Sequence, residues 1–130
     1  MVVDTSALVA LLLGEPRAPE IATAFEAADS PAVISAATLV EATIVVESRL
    51  GADGVLRLEQ LLRTAEVATV AVDEVQARAA SDAWRAFGKG RHPAALNLGD
   101  CFTYALAQVR DEPILCVGDD FARTDIYTVP

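Results

Sequence analysis

The chain has 130 residues, of which 53% are hydrophobic and 22% charged, so it is long and apolar enough for one domain with a real core, and it is not a disordered chain. Its formal net charge is −9, which excludes broad neutralisation of phosphates as the way it would hold nucleic acid. No apolar run reaches the roughly 18–20 residues of a membrane span.

In chain order, Val2-Val3 reads as a very short buried strand that delivers Asp4 at its carboxyl end. A helix is expected from about Ser6 through the apolar run Ala7–Leu13, stopped by Gly14-Glu15-Pro16. No basic segment precedes that run and Asp4 interrupts it, so a secretory leader is not expected and the cytoplasm is. A second helix is predicted over residues 19–28, then a turn at Asp29-Ser30-Pro31 and a strand over 32–35. Residues 36–50 form a largely apolar helix, Gly51–Gly54 breaks it, and another helix follows over 55–65. A strand over 67–72 leads to Asp73, an amino-terminal cap for a helix over 74–87.

Gly88–Pro93 is a basic loop. Residues 94–99 then lead to Asp100 at the start of a helix over 101–110. A buried strand over 114–117, a turn at Gly118–Phe121 and a last short strand over 126–129 complete the chain. Strands alternating with helices predict an α/β domain spanning 1–130, with a mostly parallel central sheet covered on both faces. Cys101 and Cys116 lie apart in apolar stretches and read as reduced, buried thiols, and with only His92 to join them a zinc site is not expected.

Four acidic positions stand out. Asp4 sits where ligands bind in open α/β sheets, although a cap role serves equally well there. Glu41 lies inside an apolar helix, Asp100 opens a helix, and Asp119-Asp120 follows a strand. Buried carboxylates placed together repel one another, and a hard divalent cation removes that repulsion. Such an ion orients water on a phosphodiester and stabilises developing charge on oxygen. The bland readings are a helix cap for Asp100, a wet helix stripe for Glu41 and a plain turn for Asp119-Asp120. The case rests on the four together.

The opening Val2-Val3-Asp4-Thr5-Ser6-Ala7-Leu8, the helix Thr38-Leu39-Val40-Glu41-Ala42, the stretch from Phe87 to Asn97-Leu98-Gly99-Asp100-Cys101, and the closing Gly118-Asp119-Asp120-Phe121 resemble the PIN-domain ribonucleases over essentially the full length. The resemblance is nearest to the VapC type of toxin from bacterial toxin–antitoxin pairs. It implies a three-layer α/β/α fold and an endoribonuclease dependent on Mg²⁺ or Mn²⁺. The expected substrate is tRNA or other structured RNA, whose cleavage stops translation and growth. It also implies a homodimer and a cognate VapB-type antitoxin. Carried over to this chain, Asp4 and Asp100 are the principal metal ligands and Glu41 a direct or water-mediated one. Asp119 is taken as the fourth catalytic acid, with Asp120 open, because the usual position three before the closing aromatic is Gly118 here. Thr5, Ser6 and Asn97 are candidates for supporting ligands or phosphate.

Lys89, Arg91 and His92 either hold RNA phosphates near the acidic pocket or form a solvated loop. A rival reading is a non-catalytic acidic module that receives a basic partner. A phosphoryl-transfer enzyme with Asp4 as nucleophile is disfavoured, because Ser6 stands where a second aspartate is needed.

Overall fold

The computed structural model describes residues 1–130. The elements are β1 (Val2–Val3), α1 (Thr5–Leu13), α2 (Ala18–Glu26), β2 (Val33–Ser35), α3 (Ala36–Thr64), β3 (Ala68–Val70), α4 (Glu74–Phe87), α5 (Leu98–Arg110), β4 (Ile114–Leu115), a 3₁₀ turn (Phe121–Arg123) and β5 (Thr128–Val129). The strands form one sheet in the order β3-β2-β1-β4-β5, and every neighbouring pair is parallel.

Successive side chains of a strand point to opposite faces, and each face here has its own core. Val2, Val33 and Ile114 pack with Ala80, Leu106 and Phe121 under α4 and α5. Val3, Ile34 and Leu115 pack with Leu8, Ile21 and Leu58 under α1, α2 and α3. The inner strands β1, β2 and β4 are therefore buried on both sides, which explains why they are apolar runs, while the edge strand β3 is largely exposed. No helix is long and apolar enough to cross a membrane.

The chain leaves β1 towards β2 and β3 on one side and reaches β4 and β5 on the other. β1 is thus the point where strand order reverses, and the crevice lies at its carboxyl end. Asp4 is the residue immediately beyond it.

Several boundaries differ from the sequence expectation; α5, expected from residue 101, begins at Leu98 with Asn97 and not Asp100 as its cap. Residues 36–64 run as one helical element kinked at Gly51, whose φ of 70° and ψ of −163° interrupt the helix at a single residue. Helix resumes at once, because nothing in Ala52-Asp53-Gly54 forbids it. β3, β4 and β5 are shorter than expected, since only the pairing residues at the sheet's middle count as strand. Phe121–Arg123 forms the unexpected 3₁₀ turn, with Phe121 buried as its anchor.

Candidate active site

Asp4 is only 5% exposed, yet it is fully hydrogen-bonded. Its backbone N–H donates to the Leu115 carbonyl at 3.0 Å, tying it to β4. Its Oδ2 accepts from the Ser6 N–H at 2.9 Å and from the Ser6 hydroxyl at 2.6 Å. It therefore caps α1, and its charge also acts on Asp100. Oδ1 accepts from Thr103 Oγ1 at 3.0 Å, and Thr103 lies 2.9 Å from Thr38 Oγ1. Because the single Thr103 proton goes to Asp4, Thr38 is the donor to Thr103. The Ser6 hydroxyl in turn accepts from the Val117 N–H at 3.0 Å, which locks β4 to the same corner.

Glu41 is half-buried on α3, and the Thr5 hydroxyl donates to its Oε1 at 2.5 Å. Its carboxylate occupies the space above the α-carbon of Gly99 in the first turn of α5. The next residue is Asp100. Asn97 and Asp100 form a reciprocal capping box: the Asp100 N–H donates to Asn97 Oδ1 at 2.9 Å, and the Asn97 N–H donates to Asp100 Oδ2 at 3.0 Å.

The carboxylates feel one another. Asp100 is pushed from the ordinary 3.8 up to about 6, chiefly by burial. The hydrogen bond from Asn97 opposes the rise, and the negative charges of Asp4, Asp120 and Glu41 add to it. Burial also pushes Cys101 up to about 11, with Asp100 adding to it. Cys116 goes to about 12, by burial first and then by Asp4, Asp120 and Asp100 against the opposing charge of Arg17. Both thiols are protonated at neutral pH and are poor metal ligands.

None of the five ion pairs of the chain involves Asp4, Glu41, Asp100 or Asp120. Acids that add to one another's charge at Asp100 and form no ion pair are a donor set suited to a hard divalent cation. They share one neighbourhood and do not face separate patches. They do not form a closed cage either: as placed, no three Asp, Glu, His or Cys side chains are gathered tightly enough to ligate a single ion. The reason is visible in their partners, since Asp4 is turned to Ser6 and Thr103 and Asp100 to Asn97.

Two adjacent acids, Asp119 and Asp120, compete for the fourth place. The charge acting on Asp100 and Cys116 is that of Asp120. Both backbones serve the turn, the Arg123 N–H being shared between the Asp119 carbonyl at 3.2 Å and the Asp120 carbonyl at 3.3 Å. Gly118, with φ of 102°, opens this turn in a backbone region that favours glycine.

The basic loop is anchored by aromatic contacts. The Arg91 guanidinium lies 4.4 Å from the centre of the Trp84 ring. His92 Nδ1 accepts from the Ala94 N–H at 3.0 Å, and its ring meets Phe87 edge-on. Neither Lys89 nor Arg91 pairs with a carboxylate of the cluster.

Sequence reasoning missed the roles of Thr38, Thr103 and Gly99. The signal for the first two was spacing: each threonine lies three residues from an acid already singled out, one helical turn away.

Residues 1–127 match the PIN domain family. This chain belongs to the PIN-domain family. Within it, the chain is 50% identical to the ribonuclease VapC of Mycolicibacterium smegmatis over 129 residues, 99% of each chain. Among solved structures, it superposes on Mycobacterium tuberculosis VapC20, described as a sarcin–ricin loop cleaving toxin, with a TM-score of 0.81. That match covers 98% of this chain and 97% of the other at 17% identity, so it speaks for the PIN fold alone. A toxin–antitoxin complex from Klebsiella pneumoniae matches with a TM-score of 0.72 over 95% of this chain and 92% of that one, at 21% identity. The three-layer PIN architecture expected from the sequence is the one found.

Proposed function

We propose that this PIN domain is an endoribonuclease dependent on Mg²⁺ or Mn²⁺ and acts as the toxin of a toxin–antitoxin pair. What supports the reading is that the charges of Asp4, Glu41 and Asp120 all act on Asp100, and that none of the four forms an ion pair. The identity to a VapC ribonuclease over almost the whole chain supports the same reaction.

Asp4 and Asp100 are assigned as the principal ligands, Glu41 as a direct or water-bridged one, and Asp120 as the fourth acid in place of Asp119. When bound, the cation supplies an activated water and neutralises charge that develops on the phosphate oxygens. The rest is done by the chain. Ser6 and Thr103 fix the two oxygens of Asp4. Thr5 fixes one oxygen of Glu41, and Asn97 fixes one oxygen of Asp100. As placed, these donors hold the carboxylates short of a closed cage, so a bound cation would draw them together. Lys89 and Arg91, exposed on their loop, are assigned to RNA phosphates outside the acidic centre, and His92 to shaping that loop. No side-chain base is required.

The substrate class is structured cellular RNA such as tRNA, and its cleavage halts translation in the cytoplasm. The partner is an antitoxin whose Arg-bearing segment meets the acidic crevice; a chain of net charge −9 favours it. The exposed Val40, Ile44 and Leu98 supply an apolar face for a homodimer.

The test is cleavage of purified tRNA and ribosomal RNA with Mg²⁺ or Mn²⁺ by the wild type and by Asp4→Asn and Asp100→Asn. The reading expects discrete fragments from the wild type alone, none in EDTA. Equal cleavage by all three proteins would remove the assignment.

A further inference from the structure

We infer that Gly99 is a positioning residue, and that its absent side chain is the cradle in which the Glu41 carboxylate rests. The inference builds on the nuclease reading and adds a residue whose type that reading does not explain.

Gly99 is the second residue of α5 and is half-buried. Its φ is not positive, unlike those of Gly14, Gly51, Gly90 and Gly118. Its backbone is therefore one that any residue adopts, and in a helix alanine is the better residue. The need for glycine is local and steric. A β-carbon at this position would stand 2.6 Å from Glu41 Cδ, 3.1 Å from Oε1, and closer still to Oε2. The three nearest atoms all belong to that one carboxylate. Gly88 makes the contrast, because a β-carbon there would meet the backbone carbonyl of Trp84 as well as its ring.

The kind of obstacle decides the outcome. A backbone carbonyl cannot yield without moving a helix, whereas a glutamate head swings by rotating its own side chain. An alanine at 99 is thus absorbed by the fold and paid for by the site. The carboxylate leaves the place between the Thr5 hydroxyl and the α5 backbone, and with it goes its nearness to Asp100. Two helices distant in sequence hold their acids together through this close approach of side chain to backbone.

The experiment compares wild type, Gly99→Ala, Glu41→Ala, Glu41→Asp and the double variants Gly99→Ala/Glu41→Ala and Gly99→Ala/Glu41→Asp. Each is followed by thermal unfolding in EDTA, Mn²⁺ binding by calorimetry, and tRNA cleavage across a Mn²⁺ titration. Gly99→Ala is expected to unfold at or above the wild-type temperature. Its Mn²⁺ affinity should fall at least fivefold and its cleavage at least tenfold. In the Glu41→Ala background the same change should have no further effect. The shorter side chain of Glu41→Asp should restore part of the activity in the double variant, because it retreats from the new methyl group. Wild-type Mn²⁺ affinity and cleavage in Gly99→Ala, an equal loss in the Glu41→Ala background, or an unfolded Gly99→Ala protein would each overturn the inference. A wild type that neither binds Mn²⁺ nor cuts RNA would instead overturn the nuclease reading.

Discussion

Replacing Asp100 by asparagine should stabilise the protein in the absence of divalent metal while abolishing its activity. Asp100 rises from the ordinary 3.8 to about 6 in the folded protein. A raised carboxylate means that the folded state holds the proton more tightly than the unfolded one. Its contribution to stability is therefore fully present below pH 4 and is lost as pH rises through about 6. Two pKa units at ~1.4 kcal/mol each set a ceiling of about 3 kcal/mol on the strain at pH 8. Asp100 is only half-buried, and solvent screening reduces that to roughly 1–2 kcal/mol. Asparagine keeps an oxygen that accepts from the Asn97 N–H, but it gives up a favourable negative charge in the first turn of α5, worth about 0.5 kcal/mol. The net gain is about 1 kcal/mol, or a midpoint about 3–5 °C higher for a chain of this size. Thermal unfolding by circular dichroism in EDTA at pH 8, 6 and 4 measures it. The gap between the two proteins should shrink through pH 6 and close near pH 4. A variant that melts below the wild type at pH 8, or a gap that ignores pH, would refute the reasoning.

Four further outcomes follow from the same geometry. Thr103→Val removes the donor to buried Asp4 Oδ1 and should cost about 1–3 kcal/mol in urea unfolding, with cleavage falling; Thr103→Ser should retain most of both. Asp120→Asn should reduce RNA cleavage at least tenfold in a steady-state assay, while Asp119→Asn leaves it near wild type. Gly51→Ala forces a side chain into a backbone region that only glycine occupies readily and should cost about 1–3 kcal/mol without changing the rate of cleavage. Leu106→Ala opens the core beneath α5 and should cost about 2–5 kcal/mol by the same unfolding measurement.

The α/β order was legible because the chemistry of its punctuation is local. Gly14 ends α1 in the left-handed conformation, Asp73 caps α4, and Asn97 with Asp100 builds a capping box. Asp4, Glu41 and Asp100 were visible as acids in apolar company. What was hidden depended on partners far away in the chain. Thr103 meets Asp4 across 99 positions, and Glu41 meets Gly99 across the gap between two helices. No periodicity within one element announces such a contact. Residue type alone does not choose between the adjacent Asp119 and Asp120, because the unexpected turn at Phe121 places both. The basic loop was read by charge alone, whereas Trp84 and Phe87 decide where Arg91 and His92 lie.

The central claim is that four carboxylates at the end of β1 form the seat of a divalent cation. Calorimetric titration of the chelator-treated protein with Mn²⁺ tests it most directly. The account predicts saturable binding that is lost in Asp4→Asn and Asp100→Asn, although both variants fold. Absent binding in the wild type, or unchanged binding in both variants, would contradict it.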